Sequence, residues 1–298
     1  MAEIRTSPSR GPDSPVVTGF YEPDTGSIQY VVSDPATGAA AIIDPVWNFD
    51  PRNARTSTRS ADEILVHVRA RGLRVEWILD THPHADHLTA AAYLKETLGA
   101  PQTIGEKVRD IAALWREIYH LPDAFDVARY FDRLFADGET FRIGKLGVRV
   151  MLSPGHTLAS VTYLVGGDAA FVHDTLMQPD SGTSRADFPG GDAGVLYRSI
   201  QRILSLPDET RLFVGHDYCP GGREPMWEAT VGEQRAENRH LKDGVTEADY
   251  VEIRRKRDAG LPLPDRMLYA LQVNLRGGRL PAPESDGRSY FKIPANRF

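Results

Sequence analysis

Thr81-His82-Pro83-His84-Ala85-Asp86-His87 places three imidazoles and a carboxylate directly behind an apolar run, Val75 to Leu79, that reads as a buried strand. In an extended segment side chains alternate between two faces, so His82 and His84 point the same way and can converge on one ion. The strand delivers them to its C-terminal end, where a loop holds functional side chains on a rigid scaffold. A solvated polar turn gives no reason for so many ligand-type side chains at this spacing, so the stretch reads as a metal-binding motif.

Three further apolar runs end in the same kind of residue. Val148 to Leu152 leads into Ser153-Pro154-Gly155-His156-Thr157, where Pro and Gly make a tight turn that can present His156 at a strand edge. Ala169 to Val172 leads into His173-Asp174-Thr175, and Leu212 to Val214 into Gly215-His216-Asp217-Tyr218. Alternation turns His173 away from the face that Asp174 occupies, which makes it a packing residue. His67, His120 and His240 lie in helical or loop patterns and read as ordinary core or surface histidines.

The intervening chain supplies strands and helices in a mixed order. Tyr30 to Val32 and Ala39 to Ile43 read as a hairpin about a Pro35 to Gly38 turn. Ala61 to Ala70 reads as an amphipathic helix opened by a Ser60/Glu63 capping box. Leu88 to Leu98, Lys107 to Tyr119 and Ala193 to Leu204 behind Asp192 read as further helices. Strand pairs followed by strands alternating with helices suit an α/β sandwich. A chain of 298 residues, 41% hydrophobic and 26% charged, can bury a sizeable core. Its formal charge of −6 argues against nucleic acid or an anionic membrane as partner. No apolar run has the length of a membrane span, and the first fifteen residues have no hydrophobic signal core, so a cytoplasmic location is expected. The single cysteine, Cys219, excludes an intrachain disulfide and reads as a space-filling thiol.

His82-x-His84-x-Asp86-His87 followed by His156, Asp174 and His216 resembles the ligand series of the metallo-β-lactamase superfamily. The resemblance implies an αββα sandwich, two mixed β-sheets with helices on the outer faces and metal at one rim. Within that superfamily, Asp174-Thr175-Leu176, the stretch Gly182-Thr183-Ser184-Arg185-Ala186-Asp187-Phe188 and the His216-Asp217-Tyr218 triplet are similar to the persulfide dioxygenases. Ala90 to Lys95, Asp187 to Asp192, Thr230 to Arg235 and the tail from Leu271 to Pro294 resemble their bacterial type II branch. The resemblance starts near residue 16. It therefore implies a disordered leader over residues 1–15, and one domain over 16–298 whose last part, from about 240, is a C-terminal extension.

The family's iron ligands carry over to His82, His156 and Asp174, a facial triad of two His and one carboxylate that leaves room on a single Fe(II) per chain for substrate and O₂. His84, Asp86, His87 and His216, which bind metal in dinuclear relatives, are then expected to orient the ligands and water. The implied reaction oxidises glutathione persulfide with O₂ and water to sulfite and glutathione, in a protein expected to be a homodimer. Arg185 is the expected grip on a substrate carboxylate and Tyr218 a hydroxyl donor to the same ligand. The family's further cationic residue in an N-P-R segment stays unassigned, because the chain reads Asn238-Arg239-His240. The alternative is a dinuclear hydroxyacylglutathione hydrolase, disfavoured by the Arg185-Ala186-Asp187-Phe188 loop. A zinc β-lactamase fits less well, since Cys219 falls after the His216 signature. A non-catalytic sulfur-sensing or scaffold protein is more remote still, since every ligand is present.

Overall fold

The computed structural model describes residues 3–242 and 244–298. The strands are β1 (Glu3–Ser7), β2 (Val16–Glu22), β3 (Ser27–Ser33), β4 (Ala39–Ile43), β5 (Val46–Asp50), β6 (Arg55–Ser57), β7 (Arg74–Leu79), β8 (Leu88–Thr89) and β9 (Gln102–Gly105), then β10 (Arg133–Phe135), β11 (Thr140–Ile143), β12 (Leu146–Leu152), β13 (Val161–Val165), β14 (Ala169–His173), β15 (Arg211–Val214) and β16 (Glu228–Thr230). The helices are α1 (Arg59–Ala70), α2 (Ala91–Leu98), α3 (Val108–Tyr119), α4 (Val127–Tyr130), α5 (Ala193–Leu204), α6 (Val231–Glu237), α7 (Glu247–Asp258) and α8 (Met267–Asn274). One sheet has the order β1-β2-β3-β4-β7-β9-β10, the other β11-β12-β13-β14-β15-β16, and β6-β5-β8 forms a small third sheet.

Period-two alternation sorts each central strand onto two cores. On β4, Ala39, Ala41 and Ile43 join Ile28, Tyr30 and Val32 of β3 in the cluster shared with the second sheet. Ala40 and Ile42 instead join Ile64, Leu65 and Val68 of α1 and Leu94 of α2. Between the sheets the Tyr30 ring meets Phe171 at 5.2 Å and Phe213 at 5.7 Å, edge-on in both cases. Along α5, Leu196, Ile200 and Ile203 are fully buried at the i, i+4 and i+7 spacing of an amphipathic helix. This is the expected sandwich, and the Tyr30–Ile43 hairpin and the Asp192 cap of α5 form as read, the cap accepting from Val195 N–H at 2.8 Å.

Four local expectations are corrected. Glu3–Ser7 is not a disordered leader but an edge strand paired antiparallel with β2; Met1 and Ala2 of that leader lie outside the described residues. The buried Arg211 holds the segment that follows, donating to the carbonyls of Pro8 (3.2 Å) and Pro15 (3.1 Å), to Ser14 Oγ and to Asp168. The Ser60/Glu63 capping box does not form. The α1 helix begins after Thr58, and the Ser60 N–H is taken by Asn48 Oδ1 at 2.9 Å, a tertiary partner that outcompetes the local cap. Leu88 and Thr89 pair with β5 as a strand, so α2 starts only at Ala91. Finally, a register shift between Phe171 and His173, with φ of 40° at His173, breaks the alternation and leaves that ring 5.0 Å from His82 rather than on the far face.

Arg211→Ala is expected to lower the unfolding free energy by about 3 kcal/mol, because it leaves Asp168 and two carbonyls without their buried cation. Urea unfolding measures the loss. Accelerated proteolysis within residues 3–15 would localise it.

Beyond residue 240 the chain packs back onto the domain. Tyr250 of α7 enters the main core. From α8, Met267 and Leu271 enter the α3 cluster, while Ala270 and Val273 meet Phe49 and Leu88.

Candidate metal centre and its cavity

His82 leaves the C-terminal end of β7, His156 follows β12 through the Pro154-Gly155 turn, and Asp174 follows β14. Gly155 is required in that turn. Its φ is 127°, and a Cβ there would lie 2.3 Å from the Leu196 backbone nitrogen. Gly215 has a related duty, since a Cβ would fall 2.6 Å from Asp174 Oδ1.

The three side chains converge, each buried. Asp174 Oδ2 lies 3.6 Å from His82 Nε2 and 3.5 Å from His156 Nε2. Those separations are too long for hydrogen bonds and match donors that share an ion at about 2.1 Å each, which lie roughly 3.0 to 3.6 Å apart. His82 Nε2 is buried with no hydrogen-bond partner. The other ring nitrogens are held: His156 Nδ1 donates to the Arg185 carbonyl at 2.8 Å, and His82 Nδ1 lies 3.0 Å from Thr81 Oγ1. Such contacts fix the tautomer and leave the Nε2 lone pairs directed at a metal. Burial lowers the pKa of both rings, His82 well below its ordinary value, so both are neutral ligands. Burial works against the Asp174 carboxylate, but the His216 charge and hydrogen bond hold its pKa far below normal. The residues present therefore fit a cation.

His84, Asp86, His87 and His216 lie beside this triad. The His84 ring is 4.2 Å from that of His82 and 4.1 Å from that of His87. Burial alone would lower the His84 pKa, but the Asp44 carboxylate, 3.0 Å from His84 Nε2, pushes it up to about 9. His216 has both nitrogens committed, Nδ1 to Asp174 Oδ1 at 2.5 Å and Nε2 to Asp86 Oδ2 at 2.7 Å. Its pKa rises well above normal against the burial term because two carboxylates flank it. Ser27 Oγ links the same group, 2.9 Å from Asp86 and 3.1 Å from His87 Nδ1.

Two supporting residues, Asp44 and Asn274, lie outside the sequence motifs. Asp44, at φ 50° just beyond β4, accepts from the Thr81 N–H at 2.7 Å and its hydroxyl at 2.8 Å. Its place after the apolar run Ala39 to Ile43 is the same signal that pointed to Asp174. Asn274, at the end of α8, donates to the carbonyls of His84 (2.8 Å) and His87 (2.9 Å) and accepts from Thr89 N–H (2.8 Å). No local motif announces it.

The centre opens into a cavity of about 580 Å³ whose walls include His156, Asp174, Arg185, Phe188 and Tyr218. Tyr218 is 65% exposed and stacks on His216 at 5.8 Å, so its hydroxyl is available to a ligand. Arg185 faces the cavity with its guanidinium fork closed on Asp187 (2.6 and 2.8 Å) and on the Pro262 carbonyl (2.6 Å). Helix α7 grips the loop that carries Arg185. Arg254 pairs with Asp258 at 2.6 Å and donates to the Thr183 carbonyl at 2.6 Å, while Asp258 accepts from Ala186 N–H at 3.0 Å.

The model of the metallo-beta-lactamase superfamily matches residues 25–216, which contain every ligand just described. The chain belongs to this superfamily. It is 60% identical over 283 residues to a "Beta-lactamase hydrolase-like protein" of Xylella fastidiosa, covering 95% of this chain and 65% of that protein. The chain thus spans slightly under two thirds of the length of that relative. It is 43% identical over 279 residues to "Glyoxylase B2" of Dictyostelium discoideum, covering 93% of this chain and 96% of that one. It is 27% identical over 281 residues to the human "Persulfide dioxygenase ETHE1, mitochondrial", covering 93% and 95%. Among solved structures, ETHE1 from Myxococcus xanthus superposes with a TM-score of 0.70 at 28% identity, covering 88% of this chain and 98% of that one. As a superfamily member the chain has the metallo-beta-lactamase fold, and His82, His156 and Asp174 form a group that could hold a metal ion. Among the described residues no helix is long and apolar enough to cross a membrane.

Proposed function

We propose that this enzyme is a persulfide dioxygenase, holding one Fe(II) per chain at His82, His156 and Asp174 and acting on glutathione persulfide. The observation that carries the reading is a contrast in spacing. The triad donors stand 3.5 and 3.6 Å apart at ligand separation, whereas His216 lies at hydrogen-bond distance from Asp174 and Asp86, 2.5 and 2.7 Å. Likeness to the human persulfide dioxygenase and to the Myxococcus ETHE1 supports it. Iron held by three protein donors supplies open positions and the electron transfer that joining O₂ to a sulfane sulfur requires.

The protein's part is placement and charge. Persulfide, O₂ and water become thiol, sulfite and two protons; the sulfane sulfur gives up four electrons to O₂, and the sulfur–sulfur bond is cleaved by water. His156 is fixed by the Arg185 carbonyl, and His82 by Thr81. Asp86, His87 and His216 surround the centre with a hydrogen-bonded network that can hold water and take up protons. Arg185 and Tyr218 line the wall that the carrier faces, and Phe188 lies under the Arg185 guanidinium at 4.7 Å.

A second reading, a dinuclear thioesterase, has its own support: His84 Nδ1 and His87 Nε2 are also buried without partners, and His84, Asp86 and His87 cluster as donors. An oxygen electrode separates the two. Glutathione persulfide is expected to drive O₂ uptake with sulfite formed in proportion, by protein containing about one iron per chain. Hydrolysis of S-lactoylglutathione without O₂ uptake, by protein with two bound metals, overturns the dioxygenase in favour of the thioesterase.

A further inference from the structure

Glu22 ends β2 as a buried carboxylate. Its Oε2 accepts from the Thr25 N–H at 3.0 Å and from Thr25 Oγ1 at 2.8 Å. Thr25 Oγ1 lies 2.7 Å from Ser27 Oγ, and Ser27 Oγ lies 2.9 Å from Asp86 Oδ2. Asp86 Oδ2 meets His216 Nε2 at 2.7 Å, so a row of polar contacts, each under 3 Å, runs from the network beside the metal donors to Glu22. At the far end Glu22 Oε1 accepts from Asn48 Nδ2 at 3.3 Å and Arg59 Nη2 at 3.2 Å. Asn48 and Arg59 line a second cleft, of about 640 Å³, on the β5–β6 side, and the Arg59 side chain is exposed. Backbone bonds hold the row in place. The Ile28 N–H donates to the Gly215 carbonyl at 2.8 Å and the Asp217 N–H to the Gly26 carbonyl at 2.9 Å, which sets Ser27 opposite His216.

The row has fewer protons than contacts. With Asp86 and Glu22 ionised, three oxygen–oxygen contacts, Asp86–Ser27, Ser27–Thr25 and Thr25–Glu22, share two hydroxyl protons. If Ser27 donates to Asp86 and Thr25 to Glu22, the 2.7 Å contact between the hydroxyls is left without one. If both hydroxyls turn towards Glu22, the Asp86 contact is left without one instead. One further proton completes the row, and every link is short enough to pass it on. Ser27 Oγ also lies 3.1 Å from His87 Nδ1 and 3.0 Å from His216 Nε2, so it touches all three polar residues of the network. The proposed reaction frees two protons for each persulfide. Thr25 and Asp86 lie in the wall of the metal cavity, and a carrier seated there displaces the water that would otherwise take those protons up. The row then leads them through the wall to the second cleft.

We propose that Ser27 and Thr25 carry protons from Asp86 to Glu22 and so give the covered centre an outlet on the side away from the persulfide. In one transfer a proton leaves Asp86 Oδ2 for Ser27 Oγ, as the Ser27 proton passes to Thr25 Oγ1 and the Thr25 proton to Glu22 Oε2. Three O–H bonds break as three form, and no electrons change hands. Glu22, whose other partners line the second cleft, gives the proton up to water there, and rotation of the two hydroxyls restores the row. Ser27, Thr25 and Glu22 are positioning residues, acting through Asp86 and not on the sulfur. The proposal rests on the dioxygenase reading for the protons it moves. The test compares full-length wild type, T25V, T25S and E22Q in oxygen uptake with glutathione persulfide, with and without added acetate. T25V removes the middle hydroxyl at nearly constant volume and leaves the contacts of Ser27 with Asp86, His87 and His216 in place.

T25V and E22Q are each expected to lower kcat about tenfold, with KM and iron content unchanged. T25S keeps the hydroxyl and should retain most of the rate. Acetate, a small base that can collect the proton in place of the row, is expected to restore kcat in T25V and to leave wild type as it was. A T25V or E22Q enzyme as fast as wild type overturns the proposal. So does a slow T25V enzyme that acetate does not restore, or a T25S enzyme equally slow, since either marks a purely structural role. If wild type consumes no O₂ but hydrolyses S-lactoylglutathione, the dioxygenase reading fails. That hydrolysis also frees one proton for each thioester, and the same comparison of kcat with and without acetate then upholds or overturns the path. Protein that turns over neither substrate removes it.

Discussion

Asp174→Ala is expected to strip the metal from the protein and to abolish O₂ uptake at every persulfide concentration. Asp174 is the one anionic donor of the triad. Its Oδ2 stands at ligand distance from His82 and His156, and its Oδ1 balances the charged His216 ring at 2.5 Å. Alanine removes both functions, leaving two neutral imidazoles beside a buried cationic ring, and a divalent ion gains little from that site. Asp174→Asn keeps the volume and one hydrogen-bonding oxygen, so it separates charge from shape, and it too is expected to lose the metal. Elemental analysis after dialysis gives the occupancy, and unfolding in chelator shows whether the fold survives. Stoichiometric metal with normal turnover in Asp174→Ala would place the centre elsewhere.

Asn274→Ala is expected to weaken the fold and the metal site together, from a residue that touches neither metal donor nor substrate. The side chain is buried and satisfies three backbone groups of the segment between His84 and Thr89. Without it two carbonyls and an N–H are left unpaired away from water, at about 1 to 3 kcal/mol each and less than additively, so a loss of about 3 kcal/mol is expected in urea unfolding. The loosened loop should also release metal to a competing chelator at least about tenfold more readily. Asn274→Asp should be worse, because its carboxylate would face the two carbonyls it now donates to. An unaltered unfolding midpoint in Asn274→Ala would show that water takes over these bonds.

The residues that were readable in advance share one property. His82, His156 and Asp174 each follow an apolar run by two to four positions, so local patterning carries the information that a strand end will present them. The Tyr30–Ile43 hairpin and the Asp192 cap were readable for the same reason, being decided within a few residues. Asn274 was not, because it acts on partners distant in the chain from within a helix whose own pattern says nothing of them. Ser60 misled because a capping box is a local preference and Asn48 offered a better tertiary partner. His173 misled because alternation assumes a regular strand, and the bulge beside it is fixed by pairing with β15.

The hold of Asn274 on the loop of His84 and His87 spans 190 residues of sequence, close to two thirds of the 298-residue chain. During synthesis His82, His156 and Asp174 all leave the ribosome well before α8, so the donors exist before the element that braces their loop. Closing so long a segment is entropically costly and comes late in folding. Firm retention of a metal is consequently expected only once α8 has docked, and a chain cut before α8 is expected to release it to a chelator more readily.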